Sequence, residues 1–398
     1  MEPKAFSRDM WRTLRQTTDE EGMAASGAVM ASSEHWTYLH KIDEWDTPGE
    51  EPSTDMPEAV RALLRDTSLP DWITSIPDLE GAMKRSCELF QEYATEFILA
   101  LMCKSLPECY AAGRGSDVLV YTGQLGEPVR GHPGADDAMV RRVMETAVFV
   151  RNVMIHENWI NSLTAIRTIQ KIRMFHCGIR YVVEKRNAAH NKPWDFAELG
   201  QPINQMDMAG TLLTFSQQSC RGARALGVEI SAQQEHDFIL HWIVIGHHLG
   251  INEDVLRAIH QRPGDVWDDI AELEFGLTQL KSGITLVNAL QNFIEKHVFT
   301  DVQFLHVSSL LMEDLMEPRA QKVVLTGAFA RREAHMFERM VAILLKTVHK
   351  LLLALPFTRR STIRRLGMGL IETTIGKWAK GRKPVITIEN ELEEYARV

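Results

Sequence analysis

The chain has 398 residues, of which 45% are hydrophobic and 24% are charged, a composition typical of a globular protein with a sizeable core. Its formal net charge of −9, without a basic stripe of interleaved aromatic residues, argues against a nucleic-acid partner. Five cysteines without close spacing predict reduced thiols rather than a disulfide framework. The first residues lack the apolar core of a secretory signal, and no apolar run suits a membrane span. These features predict a cytoplasmic protein.

The predicted elements are almost all helices. Residues 1–56 carry little periodic pattern, and 47–57 are rich in proline, glycine and acidic side chains, so we predict a loosely organised N-terminal extension and linker there. Beyond it, apolar side chains recur at three- and four-residue steps, which indicates a single all-α domain over residues 57–398. Strand signals are few and short, at 118–121 and 385–388. The predicted helices cover residues 57–66, 79–104, 136–160, 162–185, 206–222, 231–248, 252–261, 266–297, 307–317, 331–355 and 359–380.

Residues with good capping properties mark several helix ends. Asp207, Ser231 and Asn252 each stand at the start of a helical pattern, where their side chains can accept hydrogen bonds from free backbone N–H groups. Gly250 follows such a pattern, and glycine commonly ends a helix in the left-handed conformation. The segment 186–203, which contains two prolines, is predicted to be a loop.

One predicted helix carries a histidine on its apolar face. In 163–185 the apolar residues recur at helical spacing, and His176 falls on the face that they form. Arg173 lies three residues before the histidine and Arg180 four residues after it, so the three side chains are neighbours. Positive charge nearby disfavours protonation and keeps the imidazole neutral, which is the form that binds iron.

Two interpretations of this histidine stay open. In the first, His176 is the iron ligand of a haem, and Arg173 and Arg180 pair with the haem propionates, which would compensate the burial of the two cations. In the second, the histidine is an ordinary core residue and the arginines belong to a salt-bridge network between helices. The flanking cations favour the first interpretation.

A second helical segment, 136–152, places three polar residues on one face. Arg142, Glu145 and Thr146 share this face, and an apolar stripe runs beside them. If the face lines a haem pocket, Arg142 and Thr146 would donate hydrogen bonds to O2, and Glu145 would act as a base toward a substrate C–H bond. The alternative is an ordinary surface face of the helix.

Patterns that indicate other kinds of active site are missing from the sequence. It contains no Glu-x-x-His pair for a di-iron bundle, no zincin motif and no glycine-rich nucleotide loop. His247 and His248 are adjacent, so on a helix they point about 100° apart and do not easily share one metal ion. Eighteen methionines supply adaptable apolar side chains that suit a pocket for a small apolar substrate.

Lysine and arginine cluster near the C-terminus. A solvated helix face explains such a cluster, and peripheral contact with anionic membrane lipid is the alternative. The residues are Arg359, Arg360, Arg364, Arg365, Lys377, Lys380, Arg382 and Lys383.

Several short pieces follow one another in a fixed order between about residues 79 and 291. They are Ser105-Leu106-Pro107 with Tyr110, Tyr121-Thr122-Gly123, Arg142-x-x-Glu145-Thr146, Arg173-x-x-His176-x-x-x-Arg180, Gly200-Gln201-Pro202-Ile203-Asn204 with Asp207, Thr211 and Phe215, and Trp242-Ile243-Val244-Ile245-Gly246 with Leu249-Gly250. This ordered set resembles the catalytic domain of haem-dependent rubber oxygenases, which is shared by latex-clearing proteins and MpaB-type fungal oxygenases.

The resemblance implies a b-type haem held by His176 in a globin-like helical core, with O2 as co-substrate. It also implies that Arg173 and Arg180 lie near the haem and that Arg142 and Thr146 lie on its distal side. In latex-clearing proteins a lysine beside this threonine can cap the iron. Here that position is Glu145, which removes one expected sixth ligand.

Three functional hypotheses follow. The first is a cytosolic haem-b-dependent oxygenase that acts with O2 on a small apolar, unsaturated or isoprenoid-like substrate and cleaves a C=C bond. The second keeps the haem but replaces this chemistry with peroxide-dependent oxidation or a non-oxidative rearrangement. The third is a non-catalytic helical protein whose apolar stripe binds a partner. The resemblance favours the first.

Overall fold

In a computed structural model, the protein folds as an array of packed helices. All regular structure in the described residues is helical, which confirms the predicted all-α fold class. No helix in these residues is both long and apolar enough to cross a bilayer. The predicted helices near the C-terminus, the predicted strand at 385–388 and the basic cluster lie outside the described ranges. Those ranges are residues 5–32, 34–45, 50–122, 135–188, 193–275, 281–298 and 307–325, with the isolated positions 369, 372, 373 and 376.

Three helices form within the first 56 residues, so the expectation of a loosely organised segment is wrong. The side chain of Ser7 accepts a hydrogen bond from the N–H of Met10, and that of Asp19 accepts one from the N–H of Gly22. Both are regular N-caps. The domain boundary at residue 56 stays a prediction. The helices are α1 Arg8–Gln16, α2 Glu20–Met30 and α3 His35–Glu44.

The next helices run through residues 58–121. The predicted strand at 118–121 is wrong, because these residues form the last turn of a helix. Val118 and Tyr121 lie three residues apart and are both buried, so packing decides the conformation over the β-propensity of the valines. A five-residue π-helix, π1, interrupts the predicted helix at 79–104. The elements are α4 Glu58–Arg65, α5 Asp71–Thr74, α6 Leu79–Glu92, α7 Ala94–Ala100, π1 Leu101–Ser105, α8 Leu106–Ala111 and α9 Gly113–Tyr121.

The second half of the described chain continues in the same way. A second π-helix, π2, divides the predicted helix at 206–222, and the predicted helix at 266–297 is present as two helices. The segment 186–203 is only partly a loop, because one helix extends into it and a short one forms inside it. The elements are α10 Ala135–Val153, α11 Glu157–Ile160, α12 Thr164–Ala188, α13 Phe196–Leu199, α14 Gln205–Leu213, π2 Thr214–Gln218, α15 Ser219–Ala225, α16 Ala232–His248, α17 Glu253–Gln261, α18 Pro263–Glu274, α19 Ser282–His297, α20 Val307–Leu315 and α21 Pro318–Val324.

Most of the predicted caps are confirmed. Ser231 forms a capping box at the start of α16, and Asn252 accepts a hydrogen bond from the first turn of α17. Gly250 follows α16 with a φ of 79°, as expected for a glycine that ends a helix. The prediction that Asp207 caps α14 is wrong. Asn204 is the cap, and its side chain accepts a hydrogen bond from the N–H of Asp207.

Helix α12 lies at the centre of the fold. One side of it packs against the N-terminal helices α2 and α4, and another packs against α10 and α16. Apolar side chains of α12 such as Met174 and Val183 belong to a hydrophobic cluster with Val29 of α2 and Leu64 of α4. The N-terminal helices therefore complete the core around α12.

A buried ion pair joins these N-terminal helices to α12. The Nε atom of Arg173 lies 2.6 Å from Oδ2 of Asp19, and its Nη2 atom lies 2.7 Å from Oδ1. Arg173 and Asp19 are only 7% and 4% exposed. The carboxylate lies so close to the turn after α16 that a Cβ atom on Gly250 would stand 2.4 Å from Oδ2. Neither charge reaches bulk water, so the loss of one would leave the other buried without a partner, which is strongly destabilising.

The variant Asp19→Asn tests this dependence. Asparagine keeps the N-cap of α2 but leaves the buried guanidinium of Arg173 uncompensated, so we expect the free energy of unfolding to fall by about 3–5 kcal/mol. Urea denaturation followed by circular dichroism measures the change. Glu21 is the control, because it lies 3.2 Å from Nη2 of the same arginine but its side chain is 78% exposed. Glu21→Gln should cost less than about 1 kcal/mol, and equal losses in the two variants would contradict the assignment.

Candidate functional site

A cavity of about 320 Å³ lies within the helical array. Helices α8, α9 and α10 form part of its wall, and α12, α14, π2 and α18 form most of the remainder. Its volume falls in the range of small-molecule sites, about 300–1,000 Å³. Most of the accessible surface of its wall is apolar, and charged side chains are a minority of the lining residues. This is the general composition of a pocket for a small organic ligand.

His176 lies on the wall that α12 contributes. Ile172, Phe175 and Ile179 line the cavity beside it, as the helical spacing predicted. The buried Nδ1 atom of His176 has no hydrogen-bond partner in the described part of the chain, and part of the residue remains accessible from the cavity. Burial, together with the positive charges of Arg180 and Arg142, lowers the pKa of the imidazole to about 3. The ring is therefore neutral at physiological pH, as expected from the sequence.

Arg142, Glu145 and Thr146 line the same cavity from α10, so their face of the helix is not a surface face. The Nη1 atom of Arg142 donates to Oε2 of Glu145 at 3.0 Å. The guanidinium carbon of Arg142 lies 4.7 Å from the ring centroid of Phe175, in cation–π geometry. The hydroxyl of Thr146 donates to the backbone carbonyl of Arg142 at 2.9 Å. The structure thus brings these three residues and His176 to one cavity.

Arg173 and Arg180 lie on α12 but are not among the cavity-lining residues. Arg173 forms the ion pair with Asp19 described above, which corresponds to the salt-bridge alternative for this residue. Arg180 donates from Nε to the carbonyl of Pro202 at 3.2 Å and from Nη2 to the carbonyl of Ile203. Both guanidinium groups thus have partners within the protein. Their contacts with haem propionates stay a prediction.

The turn that Arg180 holds forms part of the cavity wall. Ile203 lines the cavity with a φ of 52°, a left-handed conformation that is unfavourable for a β-branched residue. The fork of Arg180 binds two consecutive carbonyls of this turn, and a guanidinium is suited to such paired contacts. Arg180 therefore supports the position of Ile203 and also contributes positive charge near His176.

A second polar group lines the cavity, and no pattern in the sequence indicates that its members belong together. Asp207 of α14 and Glu274 of α18 are both lining residues. Arg15 of α1 donates to Oε1 of Glu274 and lies 3.4 Å from Oδ1 of Asp207. Arg114 also donates to Oε1 of Glu274, at 3.2 Å. Asp207 appeared among the pieces of the family resemblance, but nothing in the local sequence marks Arg15 or Glu274.

Asp207 has an altered acidity. Burial raises the pKa of its carboxyl group to about 6, and the charge of Glu274 acts in the same direction. Arg15 and a hydrogen bond from Nδ2 of Asn204, 2.7 Å long, oppose the shift. A carboxyl group with such a pKa exchanges a proton near neutral pH.

Comparison with known proteins identifies the family. The catalytic domain described as "ER-bound oxygenase mpaB/B'/Rubber oxygenase" matches residues 98–345. The chain belongs to this oxygenase family. A latex clearing protein solved in its closed state has a similar structure, with a TM-score of 0.65, 17% sequence identity and 94% of each chain covered. At this identity the likeness shows the fold alone, and it agrees with the all-α class. No protein with a curated description matches the chain.

The pieces that carried the family resemblance in the sequence meet at the cavity. Each of them contributes at least one lining residue, although they are spread over more than a hundred positions. In this chain the ordered pieces thus belong to the wall of one cavity. These residues include Leu106, Thr122, Arg142, His176, Ile203 and Trp242.

The residues at this cavity fit a haem better than a metal ion bound by protein alone. Among the described residues, no group of three or more His, Cys, Asp or Glu side chains is placed to hold a metal. An iron atom at His176 would therefore take its other ligands from a bound group, as it does in a porphyrin. Nδ1 of the neutral imidazole has no partner among the described residues, which suits a histidine that would bind the iron.

Asp207→Asn should change how stability depends on pH. Because the pKa of Asp207 rises from 3.8 to about 6 on folding, the folded state holds this proton more tightly than the unfolded state between these values. The wild-type protein should therefore lose stability relative to Asp207→Asn as the pH rises from about 4 to about 6, and the difference should level off above that. Urea denaturation across this pH range measures it. The exposed Asp254→Asn is the control, and a stability difference for Asp207→Asn that does not vary with pH would contradict the shift.

Proposed function

We propose that the protein is a haem-dependent oxygenase that acts on a small apolar, unsaturated substrate such as a short isoprenoid. One observation carries the proposal: a neutral imidazole, His176, lies on the wall of a mostly apolar cavity, and its Nδ1 atom has no hydrogen-bond partner in the ranges that the structure describes. Membership of an oxygenase family supports O2 as the co-substrate. The reaction class that we infer is oxidative cleavage of a C=C bond into two carbonyl groups. The cytosolic location expected from the sequence stays a prediction.

His176 would hold the cofactor. When bound, haem would supply the iron that activates O2. The protein's contribution is to keep the imidazole in its neutral form, and burial and two cations achieve this. Because α12 is buried along most of its length, the ring is also held in a fixed place.

Arg142 would provide positive charge and hydrogen-bond donors at the cavity. Its ion pair with Glu145 and its contact with Phe175 fix the guanidinium group in the wall, and a fixed donor stabilises negative charge that develops on a reacting oxygen. Thr146 is less suited to the donor role expected of it, because its proton is already used by the carbonyl of Arg142. Toward the cavity this hydroxyl offers acceptor lone pairs.

Glu145 would accept or return a proton. Its carboxylate lines the cavity beside Arg142. One carboxylate oxygen atom bonds the guanidinium group, and this ion pair compensates the negative charge of Glu145. A carboxylate held within reach of a substrate is a common general base.

The apolar part of the wall would exclude water and bind the hydrocarbon. Phe149, Phe215 and Trp242 form an aromatic group with ring centroids 5.2–6.4 Å apart. Such contacts favour an apolar substrate over a charged one. Membership of a family whose description names a rubber oxygenase supports an unsaturated hydrocarbon as the substrate class.

The first test concerns the cofactor. We expect the protein purified from cells supplied with a haem precursor to show a Soret band, and His176→Ala to lose most of its haem while its helical circular dichroism is unchanged. His247→Ala is the control, because this neutral histidine of α16 does not line the cavity. A His176→Ala protein that retains its full haem content would show that the ligand assignment is wrong.

The second test concerns the chemistry. Glu145→Gln keeps the shape of the side chain but removes its basicity, so we expect O2 uptake with geraniol as a probe to slow by about 10²-fold while haem content is unchanged. An oxygen electrode measures the rate, and Glu184→Gln, an exposed change on α12, is the control. Equal rates in the wild type and Glu145→Gln would show that Glu145 has no catalytic role. Turnover that requires peroxide and consumes no O2 would contradict the proposed reaction class.

A further inference from the structure

We propose that Asp207 and Glu274 form a subsite that accepts a hydrogen bond from a hydroxyl group of the substrate. The preferred substrate class is then an unsaturated alcohol, apolar along its chain and polar at one position. This inference rests on the proposed function only in taking the cavity as the substrate site. It concerns binding, so it is tested separately from oxygen chemistry.

Glu274 carries the inference because, within the described part of the chain, only one of its two oxygen atoms has a partner. Arg15 and Arg114 both donate to Oε1. The Oε2 atom is buried and has no hydrogen-bond partner among the described residues, and the residue is 1% exposed while lining the cavity. An ionised oxygen atom buried without a donor is costly. A donor on a bound ligand would remove this cost.

Asp207 adds a second acceptor to the same cavity wall. Its Oδ2 atom bonds Asn204, and its Oδ1 atom lies 3.4 Å from Arg15. Asn204 and Arg15 thus hold the carboxylate of Asp207 in place. Since a carboxylate oxygen can accept more than one hydrogen bond, Asp207 offers an alternative acceptor for the single proton of the ligand hydroxyl group.

The charges of the cluster select a neutral ligand. Two arginines, Arg15 and Arg114, face two buried carboxylates, Asp207 and Glu274, so the buried charges balance. A ligand carboxylate or phosphate would meet two negative groups. An ammonium group would add an uncompensated charge in a buried site, which is unfavourable. A hydroxyl group supplies the missing donor without changing the charge.

The position of the subsite gives it a role in specificity. Helices α14 and α18 bring the two carboxylates to the cavity, whereas α10 and α12 bring Arg142 and His176. A hydroxyl group bound at the carboxylates would therefore fix which carbon atoms of the chain reach the histidine side. A site built to bond a hydroxyl group discriminates strongly against an analogue that lacks the proton.

The experiment compares two ligands whose oxygen atom carries a proton in one and a methyl group in the other. Geraniol donates and accepts hydrogen bonds, whereas geranyl methyl ether only accepts them. We expect isothermal titration calorimetry on the full-length protein with its cofactor to give a Kd for geraniol at least about 10-fold lower than for the ether. Equal affinities, or no binding of either ligand, would overturn the subsite. Tighter binding of geranylamine than of geraniol would overturn the assignment of a neutral ligand.

The variant Glu274→Gln locates the effect. Because both arginines donate to Oε1, the amide oxygen must take that position, which leaves the NH2 group where Oε2 was. An acceptor thus becomes a donor, and we expect the preference for the alcohol over the ether to fall to about 2-fold or less. Glu198→Gln is the matched control. It bonds the same Arg114, but its side chain is 51% exposed and does not line the cavity.

The outcomes of this test are distinct from those of the proposed function. A Glu274→Gln protein that is folded and keeps the full preference would overturn the role of Glu274, whatever its oxygen uptake. Should that variant fail to fold, the wild-type comparison of alcohol and ether still decides the proposal. A preference for the alcohol in a protein that binds no haem would keep the subsite and reject the oxygenase assignment.

Discussion

The bidentate pair between Asp19 and Arg173 is the interaction on which the arrangement of the site depends. Helix α12 carries both Arg173 and His176, and an arginine buried there requires a carboxylate within reach. Asp19 supplies it and also caps α2. One side chain therefore fixes the position of the N-terminal helices and compensates the charge on α12. Without this contact, α12 would have to turn Arg173 toward water, and His176 would move with it.

The arginines around His176 have different partners, and these partners explain their different effects. Arg142 and Arg180 add to burial in lowering the pKa of the imidazole. The carboxylate of Asp19 acts in the opposite direction, but it is tied to Arg173. The histidine is thus surrounded by cations whose own partners lie in the protein, and a neutral ring results. With its pKa lowered to about 3, the ring is neutral and available to a metal at physiological pH.

Helical periodicity explains how much of the site the sequence could predict. The spacing places His176 on the apolar face of its helix, and Arg142, Glu145 and Thr146 on a face of another. That the two faces meet at one cavity followed from the family resemblance, since periodicity alone does not determine which helices pack together. Long-range pairs escaped prediction. The partner of Arg173 lies 154 positions away in the chain, and no local pattern records such a contact.

Long-range contacts also explain why the prediction of a loosely organised N-terminal segment is wrong. Its composition is polar and weakly periodic, which is typical of a linker, yet its charged residues include the partners of the buried groups deeper in the fold. Arg15 reaches Glu274 at the cavity wall, as Asp19 reaches Arg173 on α12. Helix α1 buries two apolar residues, Trp11 and Leu14, beside Arg15, and a stripe of two residues understates how much of the helix belongs to the core. The carboxylates at the cavity wall and the position of His176 on α12 therefore both depend on the first helices. The site needs residues from α1 through α18.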